Sequence, residues 1–258
     1  MVLIASFVSL IMDNTSTEQI PPRSRKQKIL SFLWKAAVFC LLFPVVQVIV
    51  LKWIDPPFTT MMVWQSFEHL FSGESMTWTH SNADIDEVAP SFYKACIAAE
   101  DQRFFEHNGF DWKEIENAQR AHARRPNKPM RGASTISQQV AKNLFLPPVR
   151  SFIRKGVEAY YTVLLEFFWS KERILEMYGN IVELAPGVYG VEEGARYHFK
   201  KSAAKLSPQE SALLAATLIN PERWSASRPT GFISRRAARI VRQMRGFPAD
   251  EDEDGEPD

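Results

Sequence analysis

The stretch KACIAAEDQRFFEHNGFD, residues 94–111, decides how the chain is interpreted. Its apolar first half predicts a helix that ends at Glu100. A carboxylate at a helix end can be half-buried, and burial tunes its pKa for proton transfer. A Glu-Asp pair at a helix end is also common as a solvated turn, so this stretch alone leaves both interpretations open.

A second cluster, RGASTISQQ at residues 131–139, is followed by Lys142 and Asn143. A glycine turn here leads into a helix start rich in hydroxyl and amide groups. Helix N-termini bind anions, and Lys142 lies about two turns into the predicted helix. Simple N-capping by Ser134 or Thr135 explains the same pattern.

Three further clusters follow along the chain. In RSFIRKGVE, residues 150–158, Arg154 and Glu158 are one helical turn apart, the spacing of an ordinary ion pair. Gly156 costs a helix about 1 kcal/mol relative to alanine, which makes sense if something approaches the backbone closely. The others are MYGNIVELAPGVYGVE at residues 177–192 and ALLAATLINP at residues 212–221, the latter typical of a core helix with a proline stop.

The N-terminal part contains an apolar run, ILSFLWKAAVFCLLFPVVQVIVL, at residues 29–51. At about 1.5 Å per residue it spans the hydrocarbon core of a bilayer, about 30 Å thick. Basic residues precede it, which predicts a cytoplasmic N-terminus and an extracytoplasmic remainder. The start codon stays open between Met1 and Met12. The predicted segments are 1–28 cytoplasmic, 29–51 transmembrane, 52–85 membrane-proximal linker, 86–246 mainly helical domain, and 247–258 acidic disordered tail.

The overall composition excludes few classes of function. The net charge of +1 makes no case for nucleic acid as a partner. Because the C-terminal tail is acidic, the body is basic, which suits an anionic substrate or a membrane surface but equally fits ordinary solvated charge. The two cysteines and five histidines form no pattern typical of zinc.

The five clusters, in this order and spacing, resemble glycosyltransferase family 51, the peptidoglycan glycosyltransferases. The family pattern reads E-D-x-x-F-x-x-H-x-G, G-x-S-T-I-T-Q-Q, R-K-x-x-E, Y-x-N with G-x-Y-G, and L-A-x-x-x-x-x-P. The resemblance covers roughly residues 86–230. It implies a mainly α, lysozyme-like, two-lobed glycosyltransferase domain preceded by a single N-terminal transmembrane helix, in a monofunctional form without a transpeptidase domain.

The resemblance also implies a reaction. The family polymerises lipid II into β-1,4-linked glycan strands, with inversion at the anomeric carbon and release of polyprenyl diphosphate. The expected partners are lipid II, the growing glycan chain and the bilayer, together with other cell-wall synthases or division proteins. The expected location is the bacterial cytoplasmic membrane. A Mg²⁺ or Mn²⁺ ion is compatible with the family, with Glu158 holding it on the substrate diphosphate, and no organic cofactor is expected.

Residue roles carry over by position. Glu100 matches the general base and Glu158 the second essential carboxylate, which orders the cations or holds the metal ion. The residues expected to bind substrate are Asp101, Phe104, His107, Gly132, Ser134, Thr135, Gln138, Gln139, Lys142, Asn143, Arg150, Arg154, Lys155 and Asn180.

Departures from the family pattern leave both carboxylates in place. They are Ser137 for Thr, Val157 for a frequent Lys, Gly179 for Leu, Leu184-Ala185 for an aromatic-Gly pair, and Ile219 for Pro. Two rival interpretations remain: a glycan-cleaving enzyme of lysozyme-like fold, and an inactive membrane scaffold. The cationic, hydroxyl-rich set from Arg131 to Lys155 argues against the first, because cleaving a neutral glycosidic bond does not need it. Retention of Glu100 and Glu158 argues against the second.

Overall fold

The computed structural model describes residues 24–72, 78–127, 132–149 and 151–246. The predicted disorder of the acidic tail and the predicted role of Arg150 lie outside the described residues. The chain divides into two units, residues 1–44 and 45–258.

The first helix, α1, runs from Arg25 to Leu51, four residues longer at its start than the predicted span. It is long and apolar enough to cross a membrane. Its large apolar side chains are exposed, among them Phe32 at 71% and Trp34 at 70%. Such exposure fits a helix surrounded by lipid and therefore a single-pass membrane anchor.

The second unit is mainly helical, as predicted. Its strands are short and form one sheet in the order β1-β3-β2, with β1 parallel and β2 antiparallel to β3. The elements are α2 (Thr60–Ser72), β1 (Thr79–His80), α3 (Pro90–Glu100), α4 (Trp112–Arg124), α5 (Ile136–Phe145), α6 (Phe152–Phe168), α7 (Lys171–Ile181), β2 (Glu183–Ala185), β3 (Val188–Tyr189), α8 (Val191–Phe199), α9 (Pro208–Thr217) and α10 (Gly231–Met244), with 3₁₀ turns at Ile85–Glu87 and Ala203–Lys205.

Two groups of helices build the core. Helix α3 packs against α9 and α10, and α5 packs against α6 and α7. Fully buried apolar side chains such as Phe92, Ile136, Leu165 and Leu214 fill the interior. The two groups meet where the end of α3 contacts α5, since Gln139 on α5 donates to Glu100 at 3.0 Å.

Hydroxyl residues set where several helices begin. Thr135 and Ser207 each accept a hydrogen bond from the backbone N–H three residues on, and the side chains of Gln138 and Glu210 pair back with the cap backbone. These reciprocal bonds satisfy N–H groups that a helix start leaves unpaired. Of the two N-cap candidates in the sequence, Ser134 and Thr135, Thr135 is the one that caps the helix.

The segment 52–85, predicted as a linker, is part of the folded unit. It contains α2 and β1, and its side chains bond to distant parts of the chain. The Thr60 hydroxyl donates to the Leu144 carbonyl at 2.7 Å, and the Gln65 amide donates to Glu183 at 3.2 Å. The sequence predicted a linker because such long-range hydrogen bonds cannot be inferred from neighbouring residues, and the predicted bounds 52–85 stay a prediction.

The last turn of α1 is tied to the same unit. Trp169 Nε1 donates to the Val48 carbonyl at 2.8 Å, and Arg173 donates to the Leu51 carbonyl at 2.9 Å. The final carbonyls of a helix have no partner within the helix, so these side chains cap its end. The C-terminal turn of α1 is thus held by Arg173 on α7 and by Trp169, the residue that follows α6.

Candidate functional site

Glu100 is the last residue of α3 and lies in a cleft of about 190 Å³ lined also by Arg103, Asp111 and Ser134. Its Oε2 atom accepts a hydrogen bond from Gln139 Nε2 at 3.0 Å. Burial raises the pKa of Glu100, and the hydrogen bond from Gln139 opposes that rise. A carboxylate in such a setting remains able to accept a proton at a pH where an exposed carboxylate would be a weaker base.

The adjacent Asp101 has a different role. Its Oδ1 atom lies 2.9 Å from His107 Nε2, and its Oδ2 atom accepts from the backbone N–H of Ile136 at 3.0 Å. At the N-terminus of α5, for which the sequence left anion binding and simple N-capping open, one backbone N–H already donates to a carboxylate of the same chain. This contact joins the end of α3 to the start of α5 and positions Glu100.

Other residues of the first two clusters form the wall beneath the cleft. Thr135 caps α5 and donates to the Gly109 carbonyl at 2.7 Å, and Ser137 donates to Glu166. Phe104 is fully buried, with Lys171 Nζ 4.4 Å from its ring centroid. Ser137 and Phe104 are fully buried and support the cleft, whereas Gly132, Ser134 and Thr135 line it.

The second carboxylate, Glu158, is only 2% exposed. One oxygen accepts from Arg154 Nη1 at 2.6 Å, and the other accepts from Lys155 Nζ. The pair predicted from spacing is thus a three-member cluster in which one carboxylate holds two cations. Gly156 has open space where a Cβ atom would be, so no described group makes the close approach that its cost suggested.

Lys142 links the two carboxylates electrostatically. Burial lowers the pKa of Lys142, and the negative charges of Glu158 and Glu100 oppose this effect. Among the described residues Lys142 makes no salt bridge, so its ammonium group is available to an anionic ligand. Asn143 is half-buried beside it on α5.

Asn180 is fully buried and does not reach the cleft. Its Oδ1 atom accepts from the backbone N–H of Ala83 at 3.0 Å, and its Nδ2 atom donates to the Ala83 carbonyl at 3.1 Å. Both ends of the amide are therefore used in fixing the segment before α3. In this structure Asn180 therefore fixes the segment before α3, and its predicted contact with substrate stays a prediction.

The Gly179 departure has a packing explanation. A Cβ atom at Gly179 would lie 2.9 Å from Tyr93 Cε1 and 3.1 Å from the Tyr93 hydroxyl. The ring of Tyr93 on α3 thus fills the space that a larger residue on α7 would need. A second departure is also well packed, because Leu184 is fully buried against Gly194.

We expect Gly179→Ala to lower the free energy of unfolding by about 1–3 kcal/mol, because the added methyl overpacks the contact with Tyr93. Chemical denaturation in detergent measures it. Gly156→Ala is the matched control: its site is open, so alanine is expected to be neutral or to stabilise α6 by up to about 1 kcal/mol. Equal stability of the two variants would contradict this account.

The residues present do not fit the metal ligand role predicted for Glu158, because both of its oxygens accept from cations. A group formed by Asp101, His107 and Asp111 has ligand atoms within 4.8 Å of one another. Its carboxylates are also engaged, since Asp101 holds the start of α5 and Asp111 accepts from Arg103 at 2.8 Å. Neither set is open to a metal ion in this arrangement.

One residue of the site was missed by the sequence interpretation. Arg236 on α10 donates to Glu100 Oε1 at 3.1 Å, although the two residues are 136 positions apart. The only signal was the basic amphipathic pattern RRAARIVRQMR at residues 235–245, which does not show which arginine turns inward.

The fold and the site together define a class of protein. A mainly helical domain that places a half-buried carboxylate near several cations fits an enzyme that combines a general base with an anion-binding site.

Comparison with known proteins identifies the family. The transglycosylase family model matches residues 70–245. Proteins named biosynthetic peptidoglycan transglycosylase are similar over most of the chain. The Bacteroides thetaiotaomicron protein is 45% identical over 86% of this chain and 89% of its own length. The proteins of Xanthomonas campestris pv. campestris and Pseudomonas syringae pv. syringae are each 46% identical, over 90% and 87% of this chain and 94% of their own lengths. The chain therefore belongs to the transglycosylase family, and its mainly helical fold is the lysozyme-like fold that was predicted.

Proposed function

We propose that Glu100 is the general base of a glycosyl transfer in which lipid II is the acceptor and the growing glycan the donor. As a transglycosylase, the chain is a peptidoglycan glycosyltransferase of cell-wall synthesis. Glu100 takes the proton from the acceptor 4-hydroxyl as that oxygen attacks the donor anomeric carbon. Attack from the face opposite the leaving group inverts that carbon, and a β-1,4 linkage forms.

The leaving group is polyprenyl diphosphate, so charge stabilisation matters more than protonation. Lys142, Arg154 and Lys155 supply cations on α5 and α6, and Glu158 holds the last two in place. The observation that carries the proposal is the position of Lys142. Its ammonium group interacts electrostatically with both Glu100 and Glu158 and makes no salt bridge among the described residues. In this proposal the base and the anion site are neighbours, since Lys142 follows Gln139, the donor to Glu100, by three residues on α5.

The anchor places the reaction at a membrane. Basic residues at the start of α1 favour a cytoplasmic N-terminus, so the catalytic domain faces outward from the bacterial cytoplasmic membrane. Both substrates carry polyprenyl chains. Confining enzyme and substrates to one bilayer raises their effective concentration. Cell-wall synthases and division proteins remain proposed partners.

No step of this mechanism passes through a metal ion. A requirement for Mg²⁺ or Mn²⁺ remains a prediction from the family resemblance, and polymerisation measured with and without a chelator tests it.

To test the function, the purified protein is incubated with labelled lipid II and, in a separate reaction, with preformed glycan. We expect polymer ladders and released polyprenyl diphosphate from the first substrate and no shortening of the second. Shortening of the glycan without polymer formation would establish the hydrolase alternative. Inactivity on both substrates by a folded protein would favour the scaffold.

A further inference from the structure

The carboxylate of Glu100 is held from two sides by different helices. Gln139 on α5 donates to Oε2 at 3.0 Å, and Arg236 on α10 donates to Oε1 at 3.1 Å. The Glu100 side chain is 20% exposed and that of Arg236 is 24% exposed, so the contact is mostly shielded from water. The Nε atom of Arg236 is buried and has no hydrogen-bond partner among the described residues.

Helix α10 has no other assigned part in the chemistry. It lies after the clusters that resemble the family pattern and packs against α3, the helix that ends in Glu100. The hydroxyl of Thr230 caps its first turn, and Ile233, Ala237 and Ile240 are buried along one face. This packing fixes the rotation of α10 and directs Arg236, alone among the described α10 residues, to Glu100.

We propose that Arg236 is a positioning residue for the catalytic base, which keeps the Glu100 carboxylate ionised and oriented toward the acceptor hydroxyl. The inference rests on the proposed role of Glu100 as that base. Arg236 acts through Glu100 and is not assigned a contact with substrate.

The charges around Glu100 show why such a cation is needed. Burial raises the pKa of Glu100, and the adjacent Asp101 raises it further. Gln139, Arg236 and Lys142 act in the opposite direction. Tyr178 on α7 and Cys96 on α3 also lie in the field of Glu100, and burial raises the pKa of both, which keeps them neutral. Of the groups that keep Glu100 ionised, Arg236 is the cation in direct contact with it.

Removing the Arg236 cation changes the pKa of Glu100 in one direction. Without Arg236 the pKa of Glu100 rises further, so the base stays protonated up to a higher pH. An opposite charge in contact with a carboxylate shifts its pKa by about one unit or more. We therefore expect the acid limb of kcat/KM for lipid II polymerisation to move upward by about one pH unit in Arg236→Gln, a loss of about tenfold on that limb with recovery at higher pH.

The test measures this pH profile in the wild type, Arg236→Gln, Arg236→Lys and Arg239→Gln. Arg236→Lys keeps the charge and should retain an acid limb close to that of the wild type. Arg239→Gln is the matched control, because it removes the same charge from an exposed position on the same helix. Thermal melting verifies folding, and Arg236→Leu replaces Arg236→Gln if the latter melts below the assay temperature, with the same shift expected.

A shift in Arg236→Gln alone supports the proposal. An unchanged profile overturns it, as does an equal loss at every pH, which indicates a purely structural role. Glu100→Gln is measured in parallel: if that variant still polymerises lipid II, the role of Glu100 itself has failed, which is a separate result.

Discussion

Glu100→Gln is expected to lower lipid II polymerisation by about 10²–10⁴-fold, the usual contribution of a positioned general base. Glutamine has nearly the same shape but cannot accept the proton of the acceptor hydroxyl. Glycan ladders from labelled lipid II measure the loss. Glu106→Gln is the control, since Glu106 belongs to the same cluster but its side chain is 62% exposed and pairs only with Arg103 among the described residues.

Glu100→Gln should leave the protein folded. Burial raises the pKa of Glu100 in the folded state. The folded protein then binds this proton more tightly than the unfolded chain, so the ionised carboxylate costs stability at neutral pH. We expect the melting temperature of Glu100→Gln at pH 7 to be no lower than that of the wild type. Wild-type polymerisation by the variant would rule out Glu100 as the base.

Glu158→Gln is expected to reduce polymerisation by about 10²-fold, comparable to the loss of one preorganised electrostatic group in an active site. The neutral amide no longer balances Arg154 and Lys155, which then repel each other and lose their alignment toward the diphosphate. The fall should appear in kcat with lipid II saturating, because the cations act mainly on the departing group.

Glu116→Gln is the matched control for this variant. Glu116 pairs with Arg120 at the same i,i+4 spacing, but both side chains are more than half exposed, at 56% and 66%. Exposed pairs of this kind contribute about 0–1 kcal/mol, so activity and stability should remain near wild type. An unaltered rate in Glu158→Gln would remove Glu158 from the mechanism. A rate restored by excess Mg²⁺ would instead favour the metal-holding role that its two ion pairs argue against.

Local features of the site could be predicted from the sequence because their causes are local. The capping box at Thr135, the i,i+4 pair of Arg154 and Glu158, and the apolar run of α1 depend on residues within a few turns of one another. The family pattern placed Glu100 and Glu158 in one site. Together with the transglycosylase match, it also led to the correct fold.

The hydrogen-bond partners of site residues could not be predicted where those partners are distant in the sequence. Asn180 was expected to bind substrate, yet its amide is consumed by Ala83, 97 positions away. The start of α5 was left open between an anion site and simple N-capping; Thr135 caps it, and Asp101 also accepts from the Ile136 backbone N–H. In both cases the motif identified a residue that matters, but not which partner it bonds.

By itself, the sequence determined the helical class, the apolar span of α1 and the i,i+4 spacing of Arg154 and Glu158. These follow from hydrophobic period, cap residues and short-range charge spacing, which act within one element. The roles expected of Glu100, Glu158 and the cations came from the family resemblance. Only the tertiary structure decided that Tyr93 compensates for Gly179, that segment 52–85 belongs to the fold, and that Arg236 reaches Glu100. The physical reason is that these contacts depend on how α3, α5, α7 and α10 pack, and packing joins residues whose separation along the chain carries no information about their distance in space.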